Sequence, residues 1–320
     1  MKLKSNEVFE KVKTEVSKLI VGQEETIKLL FLTIIANGHS LIEGVPGLAK
    51  TMIVNALARI LSLEFNRIQF TPDLMPSDVT GTEIMNLSDE KKGFVFLKGP
   101  IFANVLLADE INRTPPKTQS ALLQAMQEKK VTILGKTYEL PKPFFVFATQ
   151  NPIEYQGTYP LPEAQLDRFL FKISISYPDH KEEMKILDVN PDNVDKLKPA
   201  LKQNEILELQ EKTREIFVSE KVKSYILDIT RNTRPQQTSF SLIKDYVSWG
   251  VGPRGSQMLL NASKANALIK EKTYVDKEDV DEVLFPVLNH RIFLSYHANA
   301  EGITTEGIIS YIKKEVEKLI

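Results

Sequence analysis

Two runs in this chain, Val105-Leu106-Leu107-Ala108 and Phe144-Phe145-Val146-Phe147-Ala148, are apolar at every position. A strand with one face in water alternates polar and apolar residues. A strand with no polar position must be covered on both faces. Residues 40–43, 63–70 and 169–173 are three further strand candidates, and helical patterns separate several of the five. One helix is expected over 51–61. Another is expected over 115–128, with Thr114 as N-cap, Pro115 in the first turn, and Leu122, Leu123 and Met126 along one face. Strands alternating with helices specify an α/β fold: a parallel, five-stranded sheet between helical layers.

Two segments break the rhythm. Residues 83–97 hold the polar turn Ser88-Asp89-Glu90-Lys91-Lys92-Gly93 between β-prone runs, and 130–140 hold Leu134-Gly135-Lys136 between two more. Both read as hairpins, with a glycine in or beside the turn. After Tyr177-Pro178-Asp179 the texture changes. Residues 180–204 are polar and carry Pro191 and Pro199, and from Glu205 the patterns are helical. Met258, Ala262, Ala265 and Ile269 keep helix spacing, and Asp276 with Asp279 three residues on is a capping pattern. Two domains are therefore expected, 1–178 and an all-helical 179–320. Trp249, on an apolar stretch of the second, is expected in the core.

The chemistry concentrates at the ends of the apolar strands. Gly44-Val45-Pro46-Gly47-Leu48-Ala49-Lys50-Thr51 follows the first strand and opens a helix. It matches the phosphate-binding pattern G-x-x-x-x-G-K-[ST], except that Ala49 stands at the second glycine. Successive backbone N–H groups at a helix N-terminus cradle an anion. Gly47 gives the loop freedom, Lys50 would reach the β- and γ-phosphates, and the Thr51 hydroxyl would ligate Mg²⁺. Asp109 and Glu110 close the third strand. At the carboxyl edge of the sheet, Asp109 would hold the metal and Glu110 would polarise the attacking water. Asn151 follows the fourth strand and could orient that water, although Asn-Pro is also an ordinary turn starter. Arg168 stands just before the fifth strand; an arginine there also serves to pair with Asp167 or solvent. Arg254, after Gly252-Pro253, sits in a helical first turn, where a cation opposes the macrodipole unless an anion is near; an exposed side chain in water is the plainer alternative.

These strings in this order resemble AAA+ ATPases, and the MoxR family among them. The resemblance rests on Val21-Gly22-Gln23, Glu43 to Thr51, Gln69-Phe70-Thr71-Pro72-Asp73-Leu74-Met75-Pro76-Ser77-Asp78, Leu107 to Arg113, Ala148 to Pro152 and Leu161 to Phe169. It is densest over 21–178, and the alanine in the phosphate loop is the MoxR form. The resemblance implies a P-loop NTPase αβα sandwich, an AAA+ core with N-terminal helices and two hairpin insertions, followed by a helical lid. It implies ATP and Mg²⁺ as cofactors. Gly44, Val45, Pro46, Gly47, Leu48, Ala49, Lys50 and Thr51 would cradle the phosphates, and Val21 and Gly22 would line the adenine pocket. Asn151 would be sensor 1, Arg254 sensor 2, and Arg168 the arginine finger acting on a neighbouring subunit. Gln69 would restrain Glu110 until a partner binds. The hairpins would face a ring pore or a client.

A finger supplied by the next subunit makes hydrolysis depend on assembly, and head-to-tail contacts close into rings, so a hexamer is expected. The leading function is ATP-driven remodelling, maturation or cofactor insertion in partner complexes, with a separate von Willebrand factor A domain protein as one expected partner. The alternatives are a nucleic-acid-stimulated motor and a nucleotide-gated scaffold with little turnover. With 41 basic against 42 acidic side chains, nucleic acid is a disfavoured partner. The chain has no cysteine, which removes disulfides, thiolate metal sites and cysteine nucleophiles. Histidines 39, 180, 290 and 297 show no metal-ligand spacing, and His39 is expected to cap or pack. The first residues lack the apolar stretch of a secretory signal and no run approaches a membrane span, so a cytoplasmic protein is expected.

Overall fold

A computed structural model of the chain describes residues 4–86, 93–154 and 156–318. The turn expected at 88–93 lies outside the described residues except for its Gly93. Two helices, α1 (Ser5–Val16) and α2 (Glu24–Ile35), precede β1 (Ser40–Glu43). The chain continues through α3 (Lys50–Ile60), β2 (Phe65–Gln69), α4 (Pro76–Thr80), the hairpin β3 (Gly81–Asn86) and β4 (Gly93–Lys98), and β5 (Val105–Asp109). Then follow α5 (Pro116–Glu128), the hairpin β6 (Lys130–Ile133) and β7 (Lys136–Glu139), β8 (Phe145–Gln150), α6 (Glu163–Leu166) and β9 (Phe171–Ser174).

The five expected strands form one sheet in the order β2-β5-β8-β1-β9, with every neighbouring pair parallel. Successive side chains on a strand point to opposite faces. Ile42, Val105, Leu107, Phe145 and Phe147 accordingly join one core with residues of α1, α2, α3 and the C-terminal helices. Leu41, Leu106, Ala108, Val146 and Ala148 join a second core with Leu122, Leu123 and Met126 of α5. Each apolar run has a partner on both faces, which is why alternation is missing from it.

The helix at 116–128 starts one residue later than expected. Pro115 is its N-cap, in extended conformation (φ −58°, ψ 154°), because a residue before proline is kept out of the helical region. Thr114 does not cap; its hydroxyl donates to the Leu74 carbonyl (3.4 Å). Both expected hairpins are present. They touch one another through the stacked rings of Phe96 and Tyr138 (4.1 Å between centroids) and the Lys136–Glu83 ion pair (3.1 Å).

The remainder holds α7 (His180–Ile186), α8 (Gln203–Glu215), α9 (Glu220–Asn232), α10 (Ser241–Tyr246), β10 (Val247–Trp249), α11 (Pro253–Ile269), α12 (Lys277–Leu288), β11 (Phe293–Leu294), α13 (Tyr296–Ala300) and α14 (Thr305–Glu317). The capping box of Asp276 and Asp279 opens α12, and Ala262, Ala265 and Ile269 are buried on α11. Two expectations fail here. The lid is not wholly helical, because β10 and β11 pair as an antiparallel ribbon. Trp249 is 66% exposed: the register shifts between Val247 and Trp249, so the usual two-residue alternation does not return Trp249 to the buried side of Val247. Among the described residues no helix is long and apolar enough to cross a membrane.

Candidate functional site

The strand order sets the site. β5, β8 and β1 are neighbours, so Asp109 and Glu110, Asn151, and the loop after Glu43 all leave the sheet at one carboxyl edge. Gly44 fits because space is short: a Cβ there would lie 3.1 Å from the Ile175 carbonyl. Gly47 has φ +89° with open space around it, so it is conformation and not room that favours glycine. Ala49, at the helix N-cap, takes the left-handed conformation (φ 54°, ψ 22°). That geometry costs an L-residue roughly 1–2 kcal/mol, which the departure from glycine leaves unrelieved. The Lys50 ammonium folds over the loop and donates to the carbonyls of Gly44 (2.5 Å) and Val45 (3.0 Å). Burial pushes its pKa below the ordinary lysine value, and the carboxylates of Asp109 and Glu110 pull the other way. Thr51 is half-buried one residue on.

Asp109 is buried and both its oxygens are engaged. Oδ1 accepts from the Thr149 hydroxyl (2.5 Å), and Oδ2 accepts from Nε (3.0 Å) and Nη2 (2.7 Å) of Arg67. Glu110 is another left-handed residue (φ 57°). Its backbone N–H donates to the Thr149 hydroxyl (2.8 Å), and its Oε2 accepts from the Gln69 amide (2.8 Å) and pairs with Arg113 (2.9 Å). Arg113 also pairs with Glu154. Asn151 is buried, its Oδ1 taking the Ile153 N–H (3.3 Å) and its amide nitrogen having no partner among the described residues.

Beside the loop lies a mostly apolar pocket of about 600 Å³, walled by Ile20, Val21, Gln23, Pro46, Met52 and Tyr177 among others, with Met184 of α7 and the following Leu187 on a further side. Val21 is on its wall. Gly22 is not among the lining residues; it lies against the Glu182 carboxylate, 2.5 Å from where a Cβ would sit.

The two expected arginines take partners outside the loop. Arg168 donates from Nη1 to the Leu123 carbonyl (2.8 Å), and its Nε is buried without a partner among the described residues. It borders a separate pocket of about 370 Å³ with Ser120, Gln124, Gln127 and Gln165. Arg254, in the first turn of α11, stands 4.0 Å from Asp167. The firmer partner of Asp167 is Arg291, which is buried and donates to it at 2.8 Å; burial pushes that guanidinium down to about 10 and Asp167 opposes the shift.

Sequence reasoning did not single out Arg67, Thr149, Arg113 or Arg291. Arg67 and Gln69 alternate with Ile68 on β2, so period two would have placed the pair on one face. Arg291 left no local signal.

A loop of phosphate-binding pattern opening a helix after β1, a buried polar residue after the adjacent β8 and two acids at the end of β5 beyond it define an AAA+ ATPase site, and the 2-5-8-1-9 sheet with a helical lid is its fold. The model of the ATPase family associated with various cellular activities matches residues 39–171, and that of the AAA lid domain matches 239–312. Chaperone MoxR1 of Mycobacterium tuberculosis is 44% identical over 94% of this chain and 80% of its own length. Uncharacterized protein YeaC of Bacillus subtilis is 44% identical over 94% of this chain and 92% of its own. Protein MoxR of Paracoccus denitrificans is 31% identical over 90% and 89%. A crystal structure of a Cytophaga hutchinsonii protein assigned as an ATPase superposes with a TM-score of 0.88 at 44% identity, over 97% of this chain and 96% of that one. The chain belongs to the MoxR family of AAA+ ATPases.

Proposed function

We propose that this protein hydrolyses ATP with magnesium and uses the cycle to remodel, mature or load cofactors into partner proteins, as a chaperone does. The observation that carries the ATPase reading is the convergence of the 44–51 loop, Asp109, Glu110 and the Asn151 amide, partnerless among the described residues, at one sheet edge. The donor set suits magnesium, which is ordinarily held by one or two protein oxygens together with substrate phosphates. Thr51 and Asp109 supply such oxygens, and among the described residues no group of three His, Asp or Glu is gathered into a separate metal site. Magnesium bound there would neutralise charge on the β- and γ-phosphates.

The loop N–H groups bind the phosphates and Lys50, now on the Gly44 and Val45 carbonyls, turns to the terminal one. Glu110 accepts a proton from the attacking water, and the Asn151 amide orients that water or the γ-phosphate. The pocket bordered by Val21 takes the base. Arg168 is turned to α5 in its own chain, which supports a role on the neighbour's nucleotide, hence a ring and most simply a hexamer. Arg254, held at 4.0 Å from Asp167, carries the lid's contact to the phosphates. We place the boundary between core and lid at 178/179, between the end of β9 and the start of α7. The chaperone part of the reading is supported by the relative named for that activity.

Glu110→Gln keeps ATP binding and lowers turnover by about 10²-fold or more, the size of a general-base contribution. Single-turnover hydrolysis at parental rate in that variant overturns the assignment.

A further inference from the structure

We propose that Arg67 is a latch that occupies Asp109 before metal and nucleotide arrive and that ties their arrival to the release of Glu110 from Gln69. The inference rests on the ATPase reading above and goes beyond it to a residue that reading does not use.

Arg67 and Gln69 lie one residue apart on β2, with Gln69 level with Asp109 in the β2–β5 register. The guanidinium makes three bonds: Nε and Nη2 to Asp109 Oδ2 at 3.0 and 2.7 Å, and Nη2 to Gln69 Oε1 at 2.8 Å. Gln69 passes the contact on, its amide donating to Glu110 Oε2 at 2.8 Å. With Thr149 on Oδ1, Asp109 has no oxygen clear of a protein donor. One planar fork thus holds the metal-site carboxylate directly and the base through a single amide. A lysine ammonium, a compact point charge, does not reproduce that fork.

The magnitude decides whether this is a latch or a permanent brace. The Arg67 side chain is 47% exposed and that of Asp109 only 11%, so the contact is worth as little as an exposed pair, about 0–1 kcal/mol, once an arriving cation takes over the buried carboxylate. A divalent ion carried in with a triphosphate outcompetes a contact of that size. Had Arg67 been buried like Arg291, leaving Asp109 would strand a charge at a cost of several kcal/mol. Once Arg67 swings into water, Gln69 Oε1 loses its donor and the Gln69 amide is no longer fixed on Glu110. Asp109 is therefore released and Glu110 loses its Gln69 restraint in one movement, while Glu110 keeps its pair with Arg113.

The test uses the full chain and a fluorescent ATP analogue, titrated with magnesium from an EDTA baseline, alongside steady-state ATP hydrolysis and thermal melts. In Arg67→Leu the magnesium concentration that half-saturates metal-dependent binding falls about three- to five-fold, the equivalent of losing an exposed ion pair, while affinity in EDTA stays at the parental value. Basal turnover rises. In Arg67→Lys the magnesium midpoint lies between the two while basal turnover matches Arg67→Leu, because the bridge to Gln69 is lost; this variant decides the matter if the leucine form does not fold. A midpoint unchanged or raised in the folded variants overturns the latch and leaves the ATPase reading standing. A parent whose nucleotide binding ignores magnesium overturns the metal reading of Asp109 and the latch with it.

Discussion

Ala49 and Glu110 both hold left-handed backbone at the site, where most L-residues pay a steric cost. Such outliers persist where the surroundings over-determine them, here the start of α3 for one and the Thr149 hydroxyl for the other. A histidine shows the same over-determination in the core. His39 is buried; its Nε2 donates to the Met126 carbonyl (3.1 Å) and its Nδ1 accepts from the Val146 N–H (2.9 Å). A proton on Nδ1 would face that N–H, and burial, with Lys129 nearby, depresses the pKa from 6.5 to about 3. The unfolded chain therefore takes up a proton below pH 6.5 that the folded one refuses. The stabilisation is present above pH 6.5 and is lost as pH falls from 6.5 toward 3, by up to about 1.4 kcal/mol per pH unit. Chemical denaturation of the parent and of His39→Gln between pH 7 and 5 checks this. The variant is less stable at pH 7 and loses less on acidification; parallel pH profiles would show that His39 contributes nothing to the slope.

The hairpins β3–β4 and β6–β7 are far apart in the chain and meet through the Phe96–Tyr138 stack. Their contact packs against the second core, with Phe102 edge-on to Phe96 at 5.5 Å. Offset or stacked aromatic pairs add about 0.5–1.5 kcal/mol beyond burial. A double-mutant cycle on Phe96→Leu and Tyr138→Leu, read by denaturant midpoints, is expected to return a coupling in that range. Strict additivity would mean that the hairpins are held by other contacts. The outer face of β3–β4 carries Ile84, Val95 and Leu97, all exposed, while the inner pair Glu83 and Phe96 meets β7.

Core and lid are joined just before the start of β9. Arg291 follows α12 and donates to Asp167, Phe169 and Leu170, while Arg254 of α11 approaches the same carboxylate. Asp167 precedes Arg168 directly, so a shift of the lid that moves Asp167 carries Arg168 with it. Asp167→Ala leaves the buried guanidinium without a carboxylate and costs about 2 kcal/mol; a denaturation midpoint equal to the parent's would remove Asp167 as the clasp. For the proposed assembly, neither Arg168→Ala nor Lys50→Ala subunits are expected to hydrolyse ATP alone. Mixed, they are expected to regain part of the parental rate if Arg168 of one subunit meets the loop of the next. Mixed rings shown to form and yet fully inactive would place Arg168 in cis or outside catalysis.

Strand runs, the phosphate loop, the acids at the end of β5 and the Asp276 capping box were readable from residue order, because each depends on neighbours within about one turn or one strand. The pairings were not. Arg67 reaches Asp109 across 42 positions and Arg291 reaches Asp167 across 124. Those contacts exist only because β2 flanks β5 and α12 comes to rest against β9. Trp249 failed for the same reason, since one register shift in a two-stranded ribbon outweighed an apolar setting. Local pattern determined what chemistry this chain carries; the packing of distant elements decided which groups hold that chemistry in check.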